Sequence, residues 1–242
     1  MTHALLEGKV VLITGAGRSL GAVTAEVCAA EGATVVRTDI TGAPGTDVVP
    51  HDVTDASQWE RVVTDVVAQH GRIDGLVNNA AILWPARPFL EEPPEEFAKL
   101  LDVNVMGVWL GMQTVARAMV AAEAGGSIVN VSSTAGLTAH DGISSYGTSK
   151  WAVRGLTKYG ANELGPSGIR VNSVHPGGMK GTTMFPGTDD PVHYERTRAA
   201  LPLRRVVDAA DVANAIVWLL SDLSHTVTAR EMVIDAGMTR GA

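Results

Sequence analysis

The chemistry-bearing residues begin with a glycine-rich turn, Thr14-Gly15-Ala16-Gly17-Arg18-Ser19-Leu20-Gly21, set between an apolar run and a small-residue segment of helical period. Small residues in a strand-to-helix turn let the backbone approach a phosphate closely, and the helix N-terminus offers free N–H groups and a positive dipole end. About 20 residues on, Asp39 ends the next apolar run, where a carboxylate accepts both ribose hydroxyls of NAD and repels a 2′-phosphate. Tight turns of this sort also occur without a ligand, so it is the buried strand before the turn and the acid after it that carry weight. A second pair, Tyr146 and Lys150, is one helical turn apart, which puts both side chains on one face. A phenol with a reference pKa of about 10 is a poor base at neutral pH, and a neighbouring ammonium favours the phenolate.

Positioning such groups requires an ordered frame. Apolar runs alternate with segments of helical period along the whole chain, the pattern of a parallel sheet covered on both faces. Strands are expected at Lys9–Thr14, Thr34–Thr38, Val48–Val49, Gly75–Asn78, Ser127–Val131, Arg170–Val174 and Met232–Asp235. Helices are expected over Leu20–Glu31, Asp55–His70 (capped by Thr54 or Asp55), Pro94–Glu123, Ser144–Leu164 and Ala209–Ser221. The fold class is therefore α/β: a Rossmann-type doubly wound sheet of seven mostly parallel strands in a single domain over residues 1–242, with ligand at the carboxyl ends of the strands. Two stretches depart from the alternation. Asp39 to Asp52 is too short for the usual crossover helix, and Pro176 to Pro202 reads as a mobile segment.

Composition narrows the function classes. The 242 residues are 45% hydrophobic and 19% charged, with a net charge of -7 and one cysteine. A chain this long buries a core without disulfides, and Cys28 alone fits a reducing, cytoplasmic setting. No basic run serves a nucleic acid or an anionic membrane, no apolar stretch is long enough to span one, and Met1-Thr-His-Ala-Leu-Leu-Glu lacks the form of a secretory signal. The seven histidines hold no helical metal pair, so no catalytic metal is expected. The absence of GxSxG removes the hydrolase option.

The glycine turn resembles the TGxxxGxG motif of the classical short-chain dehydrogenase/reductase family, and further motifs agree in order and spacing. Asn78-Asn79-Ala80-Ala81 resembles NNAG, and Asn104 in Asp102-Val-Asn-Val105 resembles the helix asparagine. Ser133 precedes Tyr146 by 13 positions, Tyr146-Gly-Thr-Ser-Lys150 matches YxxxK, and Pro176-Gly177 matches the PG turn. The resemblance implies that Ser133, Tyr146 and Lys150 act on a substrate oxygen beside the nicotinamide ribose, while Asn104 holds a water leading from Lys150 to solvent. A plainer reading has Asn104 bridging backbone. Implied cofactor contacts are Gly15, Arg18, Ser19, Leu20 and Gly21 at the phosphates and Asp39 at the ribose. Asp52 and Val53 would meet the adenine, Asn79, Ala80 and Ala81 the adenosine half, and Pro176, Gly177, Met179 and Thr182 the nicotinamide. The family also implies a homotetramer assembled through the two long helices around the catalytic strands.

Departures from the family pattern are Ser19 for the second motif glycine, Ala81 for the last residue of NNAG, and Asp235-Ala236-Gly237 for DGG. Arg18 stands where NADP-dependent members often carry a base, but a carboxylate at Asp39 repels a 2′-phosphate more than a surface arginine offsets, so NAD is favoured over NADP. The substrate wall is expected from Ile82–Ala86, Gly136–Ile143 and Met184–Pro186, with Trp84, Leu137, Met184 and Phe185 giving it an apolar cast. A hydrophobic secondary alcohol or ketone follows, and Gly126 to Pro176 looks most like bacterial hydroxysteroid and cyclic-alcohol dehydrogenases. Two readings compete: a 3-oxoacyl-thioester reductase serving acyl carrier protein, opposed by Asp39 and the acidic charge, and a dinucleotide-sensing regulator without turnover, opposed by the intact Asn104, Ser133, Tyr146 and Lys150.

Overall fold

A computed structural model describes residues 4–42, 46–180 and 190–240. Its centre is β1 (Val10–Thr14), whose five residues are all buried because helices cover both faces of the sheet. The chain continues through α1 (Ser19–Ala30), β2 (Thr34–Asp39), β3 (Val48–Pro50), α2 (Ala56–His70) and β4 (Gly75–Asn78). It then runs through α3 (Pro94–Leu101), α4 (Gly107–Ala121), β5 (Gly126–Val131), α5 (Ser144–Leu164), β6 (Ile169–Pro176), α6 (Pro191–Ala200), α7 (Ala209–Leu220) and β7 (Glu231–Ile234). The strands form one sheet in the order β3-β2-β1-β4-β5-β6-β7, and every pair is parallel. The order reverses between β1 and β4, which opens a crevice at their carboxyl ends.

Alternation along the strands divides the core in two. Leu12, Leu76, Ile128 and Val171 face a cluster with Trp59, Met112, Val115 and Val153 from α2, α4 and α5. Val11, Ile13, Val77 and Val129 face the other, with Cys28 of α1 and Ile216 and Leu219 of α7.

Two expectations are corrected. Pro94–Glu123 is not one regular helix: α3 and α4 are joined by a π-helical turn, Asp102–Met106, whose wider winding turns Asn104 into the protein. The segment after Pro176 contains a helix that was not expected, α6 over Pro191–Ala200, capped by the Asp190 carboxylate accepting from the Val192 N–H. Between β2 and β3 the described residues contain no helix. Asp55 rather than Thr54 caps α2, accepting from the Ser57 and Gln58 N–H groups.

Candidate active site

The glycine turn is held from below. Asn79, at the end of β4, donates from its amide to the carbonyls of Thr14 (2.9 Å) and Gly15 (3.0 Å). In return the Thr14 hydroxyl accepts from the Asn79 and Ala80 N–H groups, each at 3.1 Å. Gly21 leaves no space for a side chain: a Cβ there would lie 2.2 Å from the Gly15 oxygen. Arg18 is the N-cap of α1 and makes no side-chain cap bond, so the first N–H groups of that helix point onward without a side-chain acceptor. Ser19, where the family pattern has glycine, has φ +49°, in the left-handed region that suits glycine.

Asp39 leaves β2 beside this turn and accepts from the Gly17 N–H at 3.0 Å. Asp52 accepts from the N–H (2.9 Å) and hydroxyl (2.8 Å) of Thr54, which orders the chain carrying Val53.

At the other end of the crevice, burial pushes the Tyr146 phenol up, while its hydrogen bond to Ser133 pulls in the opposite direction. Lys150 is buried on the same helical face, and its Nζ lies 5.5 Å from the Tyr146 ring centroid and donates to the Val131 carbonyl at 2.9 Å. Burial lowers its pKa to about 8. Ser133 in turn accepts from the Ala135 N–H at 3.1 Å. Its carbonyl accepts from His175 Nδ1 at 3.1 Å, which assigns that ring nitrogen as the donor. Burial lowers the His175 pKa to about 4. This histidine therefore braces the serine's backbone as a neutral strand-end residue, the plainer of its two readings.

Asn104 is fully buried and closes on Ile82, accepting from its N–H at 2.8 Å and donating to its carbonyl at 3.0 Å. It also donates to Ser149 Oγ at 3.1 Å, and Ser149 donates to the Tyr146 carbonyl at 2.7 Å. Asn104 thus ties the loop after β4 to α5.

One cavity of about 630 Å³ connects the two ends. It is lined by Gly15, Arg18, Ser19, Leu20, Gly21, Asp39, Asp52, Val53, Asn79, Ala80 and Ala81 on one side, and by Ser133, Tyr146, Lys150, Pro176, Gly177 and Met179 on the other. Trp84 lines it too, oriented by an Nε1–H bond to the Glu96 carbonyl at 3.0 Å. Leu137 does not: the 3-10 turn Thr134–Gly136 ends there, and Ala135, His140 and Ile143 form the wall instead. Thr182, Met184 and Phe185 lie outside the described residues. Ile82, Leu83 and Ile143, from two of the expected wall loops, complete the apolar end together with Met238. Sequence reasoning missed Met238, which reaches the site from the C-terminal region with no local signal.

A nicotinamide dinucleotide fits this lining. The close-packed glycines Gly15 and Gly21 and the uncapped α1 terminus suit a pyrophosphate, Asp39 suits ribose hydroxyls, and the apolar cleft at Val53 suits an adenine. Among the described residues no group of three or more His, Cys, Asp or Glu could hold a metal ion, and no helix is long and apolar enough to cross a membrane.

Comparison with known proteins agrees with this geometry. The family model described as "Enoyl-(Acyl carrier protein) reductase" matches residues 15–239. The chain is 39% identical to trans-4-hydroxycyclohexanecarboxylate dehydrogenase of Sinomonas cyclohexanicum, over 96% of this chain and 93% of that protein. It is 40% identical to 3-alpha-(or 20-beta)-hydroxysteroid dehydrogenase of Mycobacterium bovis, over 98% of this chain and 91% of that one. The crystal structure of carveol dehydrogenase from Mycobacterium avium in complex with NAD superposes with a TM-score of 0.91 at 29% identity, covering 98% of this chain and 99% of that chain. With its parallel sheet, its glycine turn and the Tyr146–Lys150 face beside Ser133, the chain belongs to the classical short-chain dehydrogenase/reductase family of NAD(P)-dependent oxidoreductases.

Proposed function

We propose that this protein is an NAD-preferring dehydrogenase that interconverts a hydrophobic, alicyclic secondary alcohol and its ketone. The observation that carries the reading is the shared cavity: Ser133, Tyr146 and Lys150 meet at one end of it, while the glycine turn and Asp39 stand at the other. A bound nicotinamide dinucleotide supplies the hydride acceptor or donor. The chain's own groups handle the proton and the oxygen. Tyr146 exchanges the proton with the substrate oxygen at its phenolic oxygen, and Ser133 donates a hydrogen bond that polarises the same atom. With its pKa raised by burial, Tyr146 is a neutral acid at neutral pH, the form needed to protonate the oxygen of a ketone during reduction. The Lys150 ammonium, anchored on Val131, favours the phenolate needed in the opposite direction.

The preference for NAD rests on Asp39, held beside the turn where a 2′-phosphate would have to lie. The substrate class rests on the apolar wall of Ile82, Leu83, Trp84, Ile143, Met179 and Met238, and on the ring alcohols named for the two relatives. Sheet, crevice and both halves of the site form a single domain. A homotetramer is our reading of the outward faces of α4 and α5, which expose Trp109, Val120, Trp151 and Tyr159. Gly107, Gly111 and Ala116 of α4 and Val153 of α5 are buried within the chain itself and are not part of that face.

Oxidation of a panel of cyclic secondary alcohols with NAD⁺ tests the reading. Turnover is expected, and Tyr146→Phe should lower kcat by about 10²- to 10⁴-fold with NADH binding kept. Undiminished turnover in Tyr146→Phe would refute the mechanism.

A further inference from the structure

We propose that Glu92, on the loop after β4, is a positioning residue that holds the first turn of α5, and with it Tyr146, in its working place. Tyr146 is the third residue of α5, and the free N–H groups of that turn need acceptors. The helix has none of its own, because its N-cap is Ile143, an apolar side chain that makes no cap bond. Glu92 brings a carboxylate to that turn from a distant part of the chain. The Ser144 hydroxyl donates to its carboxylate at 2.6 Å. Ser145, directly before Tyr146, also faces this carboxylate and favours its charged form. A carboxylate here also opposes the positive end of the helix dipole. Burial works against the charged form of Glu92, yet these serines, together with Arg87, hold its pKa below the usual carboxylate range.

The loop that presents Glu92 is itself stitched down. The Arg87 N–H donates to the Gly142 carbonyl at 3.0 Å, just ahead of α5. The Arg87 guanidinium pairs with Glu96 at 3.2 Å, and Trp84 bonds the Glu96 carbonyl. Wall residue Trp84 and helix brace Glu92 therefore belong to one loop bound at both ends, and its hold on the helix sets where the phenol stands relative to Ser133. Lys150 has an independent anchor on Val131, so loss of the brace displaces Tyr146 selectively. In the sequence Glu92 sits inside Glu91-Glu92-Pro93-Pro94-Glu95-Glu96, which reads as a solvated acidic loop.

The proposal rests on Tyr146 as the proton-exchanging group, and the test keeps the two apart. Glu92→Ala, Glu92→Gln and Tyr146→Phe are compared by kcat for cyclohexanol oxidation with NAD⁺, by fluorescence titration with NADH, and by ultraviolet titration of the Tyr146 phenol taken as the difference from Tyr146→Phe. Glu92→Ala should lower kcat about tenfold, since small misplacements of a catalytic group are costly, with NADH affinity unchanged. Its Tyr146 phenol should titrate closer to the ordinary tyrosine value as the frayed turn admits water. Glu92→Gln, which keeps an acceptor oxygen, should stay near wild type in both readouts. If Glu92→Ala does not fold, Ser144→Ala, which removes one donor, carries the same expectations at smaller size. Wild-type kcat and wild-type phenol titration in Glu92→Ala would overturn the proposal, as would a glutamine variant as damaged as the alanine. Turnover surviving in Tyr146→Phe would overturn the proposed mechanism instead, while the phenol titration would still judge the brace.

Discussion

Replacing Ser19 by glycine should stabilise the protein, because Ser19 is held at φ +49°. A left-handed conformation costs a residue with a Cβ about 1–2 kcal/mol. Glycine removes that cost but loses more conformational freedom on folding, about 0.5–1 kcal/mol relative to alanine. The difference leaves a net gain of about 0.5–1 kcal/mol. For a chain of this size, about 2–4 °C of melting temperature accompany each kcal/mol, so Ser19→Gly should melt about 1–4 °C higher. The assay is a thermal melt of the nucleotide-free protein, with Ser19→Ala beside it. Alanine keeps the strain and removes only the hydroxyl, so its melting temperature should stay near wild type. Because Ser19 lines the cavity, NADH titration of the same variants separates a second effect. Weaker binding in both would show that Ser19 Oγ donates to the nucleotide, while unchanged binding in both would assign phosphate recognition to the backbone. A melting temperature in Ser19→Gly at or below wild type would refute the strain argument.

Other expectations concern charge. Asp39→Ser removes the carboxylate beside the turn, so the ratio of kcat/KM for NADP to that for NAD should rise at least about tenfold; an unchanged ratio would place cofactor choice elsewhere. Lys150 has a folded pKa of about 8 against an ordinary 10.5, so the unfolded chain binds more protons between those values. The penalty for burying this ammonium is therefore complete below about pH 8 and fades as pH rises toward 10.5. Since Lys150→Met lacks the titration, wild type should gain on it in paired thermal melts between pH 8 and 10, and a constant difference would contradict the burial effect.

Most of the frame was legible in the sequence for a local reason. A strand buried on both faces reads as a continuous apolar run, as Val10–Ile13 does before Thr14, and a helix ending in glycine shows the 3.6-residue period, as Ala56–His70 before Gly71 does. Tyr146 and Lys150 were legible because one helical turn sets their relation. The π-helical turn at Asp102–Met106 was not, because its residues carry ordinary helical propensities and its winding answers to the contacts of Asn104 with Ile82 and Ser149. Helix α6 was hidden by its weak amphipathic pattern, with no residue buried, although Asp190 followed by Pro191 is a start signal in retrospect. Leu137 was misplaced because the 3-10 turn before it resets which side chains face the cavity.

What the amino-acid order determined by itself was the family, the strand sequence and the residue types at the two ends of the cavity, since each depends on spacings along the chain. What only the tertiary structure decided was how groups far apart in sequence complete one another. Asn79 supports the glycine turn, His175 braces Ser133, and Glu92 accepts from the Ser144 hydroxyl 52 positions further on. Those bonds exist because parallel strands bring their carboxyl ends to one edge, so the loops that leave them meet there whatever their separation along the chain.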